Sequence, residues 1–436
     1  MNVREIALKL LLDYELDGKY INLSLSSHAT DGLCEEEMKQ LTHLLYTTVE
    51  HKLTYDYYIS YITKRSIDKL SLHTKNILRL GLCQILDTDT MPDFAAVNET
   101  VKLAKNRGER ALVNAALRTA AREKDSLPLP DKSKNPARYS SIKYSLPIAT
   151  VRHFFSELSE EEAICLFDSF GKERDTTVTV NTARVSVEKY LEMLIDGGYN
   201  ATRATFSPIS VRIFGSVNPR SLPGFSEGLF FVQDEASALS AITLGALDGE
   251  TVVDVCAAPG GKSFAVATLT KNASVYSFDI HESKLSLIEG GAKRLGLTSV
   301  RARAVDARVG DPSLFGKADR VLCDAPCSGL GVIDKKPDLR YKDISALSEL
   351  PALQLEILSA ASKYVKSGGT LVYSTCTVNR AENEEVVSAF LSANPDFYPE
   401  DFSHGELKSE GGALRLYPHI HKTDGFFITK LRRQND

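Results

Sequence analysis

Two of the chain's seven cysteines stand where chemistry is easiest to build. Cys327 lies in Asp324-Ala325-Pro326-Cys327-Ser328-Gly329, directly after the β-rich run DRVLCD (319–324). Cys376 lies in Ser374-Thr375-Cys376-Thr377, directly after GTLVYS (369–374). A thiolate is a soft, polarisable nucleophile, and covalent catalysis through it divides one difficult step into easier ones. Asp324 adds a carboxylate that can hold the polar edge of a ring and stabilise charge developing on it. Cys34, Cys83 and Cys165 fall in helical patterns instead and read as core residues. An odd number of cysteines scattered over a long chain argues against a disulfide framework and for free thiols in a reducing cytoplasm.

A second constellation precedes the first. TVVDV (251–255) runs into Cys256-Ala257-Ala258-Pro259-Gly260-Gly261-Lys262-Ser263. Small residues and paired glycines let the backbone approach a ligand closely and turn tightly into a helix. Amides at such a helix start favour an anionic group, such as the carboxylate of a bound amino acid. Gly261-Lys262-Ser263 fits the end of a P-loop, but the first glycine of that motif falls on Cys256, and G-x-G-x-x-G is absent. SVYSFD (274–279) ends in Asp279, placed to accept hydrogen bonds from ribose hydroxyls. SVRARAV (299–305) leads into Asp306, placed to receive an adenine amino group. Asp254, Asp279 and Asp306, each closing its own strand, predict an adenosine-containing cofactor.

If these strands are parallel, both cysteines share the cofactor's edge of the sheet. A thiol there suits methylation of cytosine. Carbon 5 of cytosine is a poor nucleophile, but thiolate addition at carbon 6 turns the ring into an enamine whose carbon 5 attacks a sulfonium methyl. Loss of the carbon-5 proton and of the thiol restores the base. Asp324 is placed to hold N3 and the exocyclic amine. The base must be unstacked, which favours single-stranded or loop RNA. No metal is expected, because Cys323 and Cys327 have no accompanying Cys/His cluster of ligand spacing. A C-x-x-C redox pair is missing. Exocyclic-amine methylation favours an aromatic residue in an Asp-Pro-Pro-Tyr style of loop, where this chain has Cys327.

These residues need a scaffold, and 436 residues with 43% hydrophobic content suggest a multidomain protein. Residues 1–125 read as all-α: Ile6, Leu10 and Leu11 repeat at helical spacing, as do Leu41, Leu45, Val49 and Leu53. Residues 126–145 are Pro-, Ser- and Lys-rich and read as a linker. Residues 146–235 read as a small α+β module, with strands at Thr176–Asn181 and Val211–Phe214 around a helix at Val187–Leu194. Residues 236–436 alternate strands and helices, which predicts an α/β Rossmann-like domain with a doubly wound, mostly parallel sheet and ligands at the strand carboxyl ends.

The net charge of -5 by itself predicts no nucleic-acid partner. Residues 102–143, however, carry eleven Lys or Arg against four acids, a local balance of +7. Such a stretch fits RNA phosphates, and it equally fits a solvated helix face and linker. No apolar run approaches the ~20 residues a membrane span needs, and the N-terminus reads as an ordinary helix rather than a signal peptide.

At the residues quoted above the chain resembles the RNA cytosine-5 methyltransferases and, within them, the RsmB (Sun/Fmu) type that modifies 16S ribosomal RNA in bacteria. The matching segments are VQDEAS (232–237), DVCAAPGGK (254–262), Asp279, Asp306, DAPCSGLG (324–331), KKPDLR (335–340), STCTVNRAENEE (374–385) and DGFF (424–427). VNETVKLAK (97–105) and LVNAALR (112–118) are similar to the NusB-type RNA-binding domain that the family carries, and the middle module is similar to its small RNA-binding extension.

The resemblance implies S-adenosylmethionine as cofactor, held by Cys256, Ala257, Ala258, Pro259, Gly260, Gly261 and Lys262 with Asp279, Asp306 and Asp324. It implies that Cys376 bonds to carbon 6 and that Cys327 assists release of the methylated product. Asp324 thus has two candidate roles, cofactor contact and base contact, which sequence does not separate. DNA cytosine methyltransferases place their nucleophile after a proline at the fourth strand, which points to Cys327. The RNA family uses the cysteine after the fifth. Both positions are filled here, and the flanking STCT favours Cys376. Lys335 and Lys336 read either as phosphate contacts beside the site or as a solvated loop. Two other functions fit less well: the same reaction on tRNA or 23S rRNA, and a non-catalytic NusB-like assembly or antitermination factor. Both cysteines and all the strand-end acids are retained, which argues against the second.

Overall fold

The computed structural model describes the chain apart from residues 1, 19–20, 22–24, 26–29, 31, 89–90, 172–174, 336 and 436. It divides into two compact units, Met1–Gly171 with Ile333–Ile344, and Lys172–Val332 with Ser345–Asp436.

The first unit is helical. Its central helix, Leu72–Leu86, starts at the Ser71 cap and buries Ile77, Leu78, Leu80, Leu82, Cys83 and Ile85. Helices Val3–Asp17, Glu35–Glu50, Lys52–Thr63, Asp93–Val101 and Arg107–Glu123 pack with it around one core. Arg79 is buried in that core, and a buried guanidinium must be paired. It donates to both carboxylate oxygens of Asp56 at 2.7 Å, and to Glu15 and Asn76.

The segment 126–145, expected as a linker, contains the helix Pro136–Lys143, which Asn135 caps. Eight residues of which only Ser140 and Ser141 are buried give no apolar period, so composition hid the helix. It docks within its unit through Thr54 Oγ1, which donates to the Ile142 carbonyl at 2.6 Å. Helices Ile148–Glu157 and Glu160–Ser169, expected in the α+β module, also belong to the first unit. They join it through an aromatic cluster of Tyr144, Phe154, Phe167 and Phe170.

The second unit opens with a small antiparallel sheet. Strands β1 (Thr176–Val180), β2 (Ala201–Arg203), β3 (Ser210–Ile213) and β4 (Phe230–Val232) run in the order β2-β3-β1-β4, and helix Val187–Asp196 covers one face. The short strands β2 and β4 left no alternating pattern long enough to read in the sequence.

The main sheet follows. Its strands β5 (Thr251–Asp254), β6 (Ser274–Asp279), β7 (Val300–Ala304), β8 (Ala318–Asp324) and β9 (Val365–Thr375) are the five expected runs, and all are parallel. β10 (Phe397–Pro399) lies on the same sheet, β11 (Ser403–His404) and β12 (Leu407–Lys408) form a separate pair, and β13 (Ala413–Leu416) and β14 (Phe426–Arg433) extend the β9 side. The order is β10-β14-β9-β8-β5-β6-β7, with β13 also on β14; β10, β13 and β14 are antiparallel to their neighbours.

Alternate residues along each strand face two separate cores. Val252, Leu322 and Val372 meet helices Glu235–Leu244, Gly261–Leu269 and Glu282–Leu295. Val253, Val321 and Leu371 meet helices Leu350–Ser362 and Glu384–Ala393. The sheet is therefore doubly wound and mostly parallel. Its connections reverse direction between β5 and β8, where open α/β sheets bind ligands. No helix among the described residues is long and apolar enough to cross a membrane.

Candidate active site

Because β5 to β9 are parallel, the residues at their carboxyl ends share one edge. Asp254 closes β5, Asp279 closes β6 and Asp324 closes β8; Asp306 lies just past β7, and Cys376 follows β9 directly. Pairing sets the alignment: Asp254 stands opposite Leu322, and Asp324 opposite Ser374.

The 256–262 loop turns from β5 into helix Gly261–Leu269. Gly260 has φ +113°, and a Cβ there would stand 2.3 Å from the Phe264 ring, so only glycine fits. The first regular helical bond is Phe264 N–H to the Gly260 carbonyl, which leaves the preceding amides without intrahelical acceptors. Beneath the loop, Asp254 is buried and accepts from Ser263 Oγ at 2.7 Å, and the Ser263 and Ser277 hydroxyls meet at 2.7 Å. Burial first, and the Asp324 charge second, push the Asp254 carboxyl up to about 7. Burial and the surrounding acids push the Cys256 thiol far above its ordinary range, so it is no nucleophile.

Asp279 is 8% exposed and accepts from the His281 amide at 2.9 Å. Asp306 is engaged by Arg308, whose Nη2 reaches Oδ2 at 2.6 Å and whose Nε reaches Oδ1 at 3.0 Å; these bonds hold its carboxyl below the usual range. Free helix-start amides beside strand-end carboxylates fit a ligand with an amino-acid carboxylate at one end and a nucleoside at the other.

The two cysteines meet: Cys327 Sγ lies 3.2 Å from Cys376 Sγ. The contact with Cys376, then burial, then the charges of Glu382 and Asp324 push the Cys327 thiol well above its ordinary range. Beside the pair, Asp324 Oδ2 accepts from Lys262 Nζ at 2.6 Å and Oδ1 from Ser374 Oγ at 2.8 Å. Burial alone lowers Lys262, but Asp324 and Asp254 outweigh it and hold the ammonium protonated.

Sequence reasoning placed Lys262 only on the cofactor loop, whereas its ammonium lies on Asp324. It missed Ser374, and it missed the buried Glu382 and Gln354 between the two cysteine segments. Their only signal was the quoted STCTVNRAENEE, and Gln354 had none. Two tight approaches close the site: the Gly331 amide donates to the Cys376 carbonyl at 3.0 Å, and the Gly425 amide to the Gly331 carbonyl at 2.9 Å.

The remaining thiols differ from expectation in part. Cys83 is buried and pushed up to about 12, but Cys34 and Cys165 are exposed. Cys34 is a helix N-cap position, and Cys165 points away from the Ala163, Leu166 and Phe167 face of its helix. Lys335 is exposed on the segment that belongs to the first unit, and Lys336 lies outside the described residues.

A profile of the family described as 16S rRNA methyltransferase RsmB/F matches residues 241–432, and a NusB family profile matches residues 1–122. The chain is similar to the probable ribosomal RNA small subunit methyltransferase B of Bacillus subtilis (strain 168), at 36% identity with 99% of each chain covered. The crystal structure of PH0851 covers 99% of both chains at 27% identity with a TM-score of 0.81. The structure of NSun6 from Pyrococcus horikoshii with SFG covers 65% of this chain and 97% of that one, at 24% identity and a TM-score of 0.59.

Proposed function

The chain belongs to the RsmB/F family of 16S rRNA methyltransferases, and from that premise we propose that it methylates carbon 5 of an unstacked cytosine in 16S ribosomal RNA through a covalent bond to Cys376. The observation that carries this reading is the 3.2 Å contact between Cys376 and Cys327, beside an Asp324 held by Lys262 and Ser374.

S-adenosylmethionine is the methyl donor of the family and, when bound, supplies an electrophilic sulfonium methyl. The 256–262 loop, Asp279 and Asp306 are placed to hold it, its carboxylate on the helix-start amides and its nucleoside along the acids. Gly260 and Gly261 keep that loop thin.

Cys376 adds as a thiolate to carbon 6 of the base. Asp324 is suited to the N3 and amine edge, and its ion pair with Lys262 sets negative and positive charge side by side where ring charge develops. In the release step the carbon-5 proton passes to solvent, the carbon–sulfur bond breaks and its electron pair returns to the Cys376 sulfur. Cys327 stands in contact with that sulfur and donates its S–H proton to it, then recovers a proton from solvent.

In this reading residues 1–125 engage RNA as a NusB-like region, the small antiparallel-sheet module between Thr176 and Val232 extends that contact, and 236–436 carry out transfer. The experiment is a map of 5-methylcytosine in small-subunit RNA from a strain lacking this chain. Wild type should restore one modified cytosine and Cys376→Ala none; methylation restored at a tRNA or large-subunit site instead would redirect the substrate assignment.

A further inference from the structure

Glu382 is fully buried and lies on a 3-10 turn, Arg380–Glu382, shortly after Cys376. Its Oε2 accepts from the Ser328 amide at 2.8 Å and from Gln354 Nε2 at 2.9 Å. Its Oε1 accepts from Asn379 Nδ2 at 2.9 Å, and its backbone carbonyl accepts from the Tyr373 hydroxyl at 2.6 Å. These donors come from separate parts of the site. Ser328 directly follows Cys327. Tyr373 lies on β9, the strand that delivers Cys376. Gln354 Nε2 also donates to the Pro326 carbonyl at 3.0 Å, just before Cys327. A second, weaker tie joins the same two segments, the Ser328 and Thr377 hydroxyls at 2.7 Å.

An ionised carboxylate only accepts, and three N–H donors saturate the bonds this one needs when cut off from water. A neutral amide in its place has one oxygen and brings donors against donors. Charge and shape are therefore both specified at a position whose side chain holds the cysteine segments in register.

We propose that Glu382 is the positioning residue of product release: it fastens the Cys327 segment to the segment leaving Cys376 and so holds the two sulfurs in contact. The inference rests on the covalent reading above. Charge adds to geometry, since Glu382 is among the groups that push the Cys327 thiol up. Loosening the clamp should spare cofactor binding and attack by Cys376, and should slow only the step in which Cys327 takes part.

The test compares the full chain with Glu382→Gln and Cys327→Ala, each with small-subunit RNA and S-adenosylmethionine. Three quantities are read: methyl-transfer turnover, RNA-linked protein on a denaturing gel, and cofactor affinity by calorimetry. For Glu382→Gln, turnover should fall roughly tenfold to a hundredfold, the scale for a misplaced reacting group. Linked protein should accumulate as in Cys327→Ala, with cofactor affinity unchanged. Glu382→Asp keeps the charge with a shorter reach; it should accumulate an intermediate amount and serves if Glu382→Gln does not fold. Wild-type turnover in Glu382→Gln overturns the proposal, as does parallel loss of turnover, adduct and cofactor affinity, which marks a purely structural role. If Cys327→Ala forms adduct and the folded Glu382 variants do not, the clamp fails while the covalent reading stands. If neither forms adduct, the covalent reading fails and the clamp with it.

Discussion

Lys262 Nζ lies 2.6 Å from Asp324 Oδ2, so a cation of the 256–262 loop is locked onto the acid that closes β8. The pair ties the 256–262 loop, proposed to hold the cofactor, to the acid proposed to face the base, so damage to either residue should appear in chemistry as well as in cofactor affinity. Removing one preorganised charge from such a site costs on the order of 10²–10³ in rate. Lys262→Met is expected to lower kcat by about that factor, and Ser374→Ala, which removes a neutral hydrogen bond to Asp324, by less. Steady-state kinetics with saturating cofactor separate the two; a Lys262→Met effect confined to cofactor KM would place the lysine on the cofactor alone.

Asp254 gives stability a pH dependence of its own. Its carboxyl ionises near 4 in the unfolded chain and is pushed up to about 7 in the fold. Below about pH 4 both states are protonated and the contribution is fully present. Between these values the unfolded state ionises first, so stability falls as pH rises and the contribution is lost once pH passes the folded value. The full loss is on the order of 4 kcal/mol. Asp254→Asn keeps an acceptor for Ser263 but cannot ionise. Denaturant unfolding from pH 4.5 to 8 should show wild type losing stability relative to Asp254→Asn as pH rises; parallel curves would contradict this.

Gly331 and Gly425 allow the loops around Cys376 to touch. A Cβ on Gly331 would stand 1.9 Å from the Gly425 carbonyl oxygen. Gly331→Ala must displace backbone, so a destabilisation of about 2 kcal/mol or more is expected, together with loss of methyl transfer. Thermal unfolding and an activity assay check both.

In the helical unit, the buried Arg79 guanidinium pairs with Asp56 and Glu15, each mostly shielded from water. Removing one partner of a buried ion pair costs roughly 3–5 kcal/mol. Arg79→Ala should therefore destabilise the first unit by about that amount, seen as early protease cleavage within residues 1–171, with cofactor affinity unchanged.

The sequence carried the five parallel strands well, because each β-rich run, whether buried like Thr251–Asp254 or largely exposed like Val300–Ala304, led into an acid or a cysteine segment. Parallel pairing then made one edge out of Asp254, Asp279, Asp324 and Cys376. Other features depend on pairing that no local pattern records. β14 enters antiparallel beside β9, and its run Phe426–Arg433 carries no mark of direction. Lys262 and Asp324 stand 62 residues apart in the chain, and the Ser328 amide that Glu382 receives lies 54 residues before it. The helix Pro136–Lys143 escaped because its buried residues are serines. Helical spacing around Cys34 and Cys165 does not say which face of a helix the core covers, and both thiols lie off that face.

The assignment of Cys376 as nucleophile and Cys327 as its release partner is tested most directly by adduct formation. Each alanine variant is incubated with small-subunit RNA and S-adenosylmethionine, denatured, and resolved on a gel that reports RNA-linked protein. Cys327→Ala should accumulate the linked species, and Cys376→Ala should form none and transfer no methyl group. Adduct in Cys376→Ala and none in Cys327→Ala would reverse the roles and contradict the account.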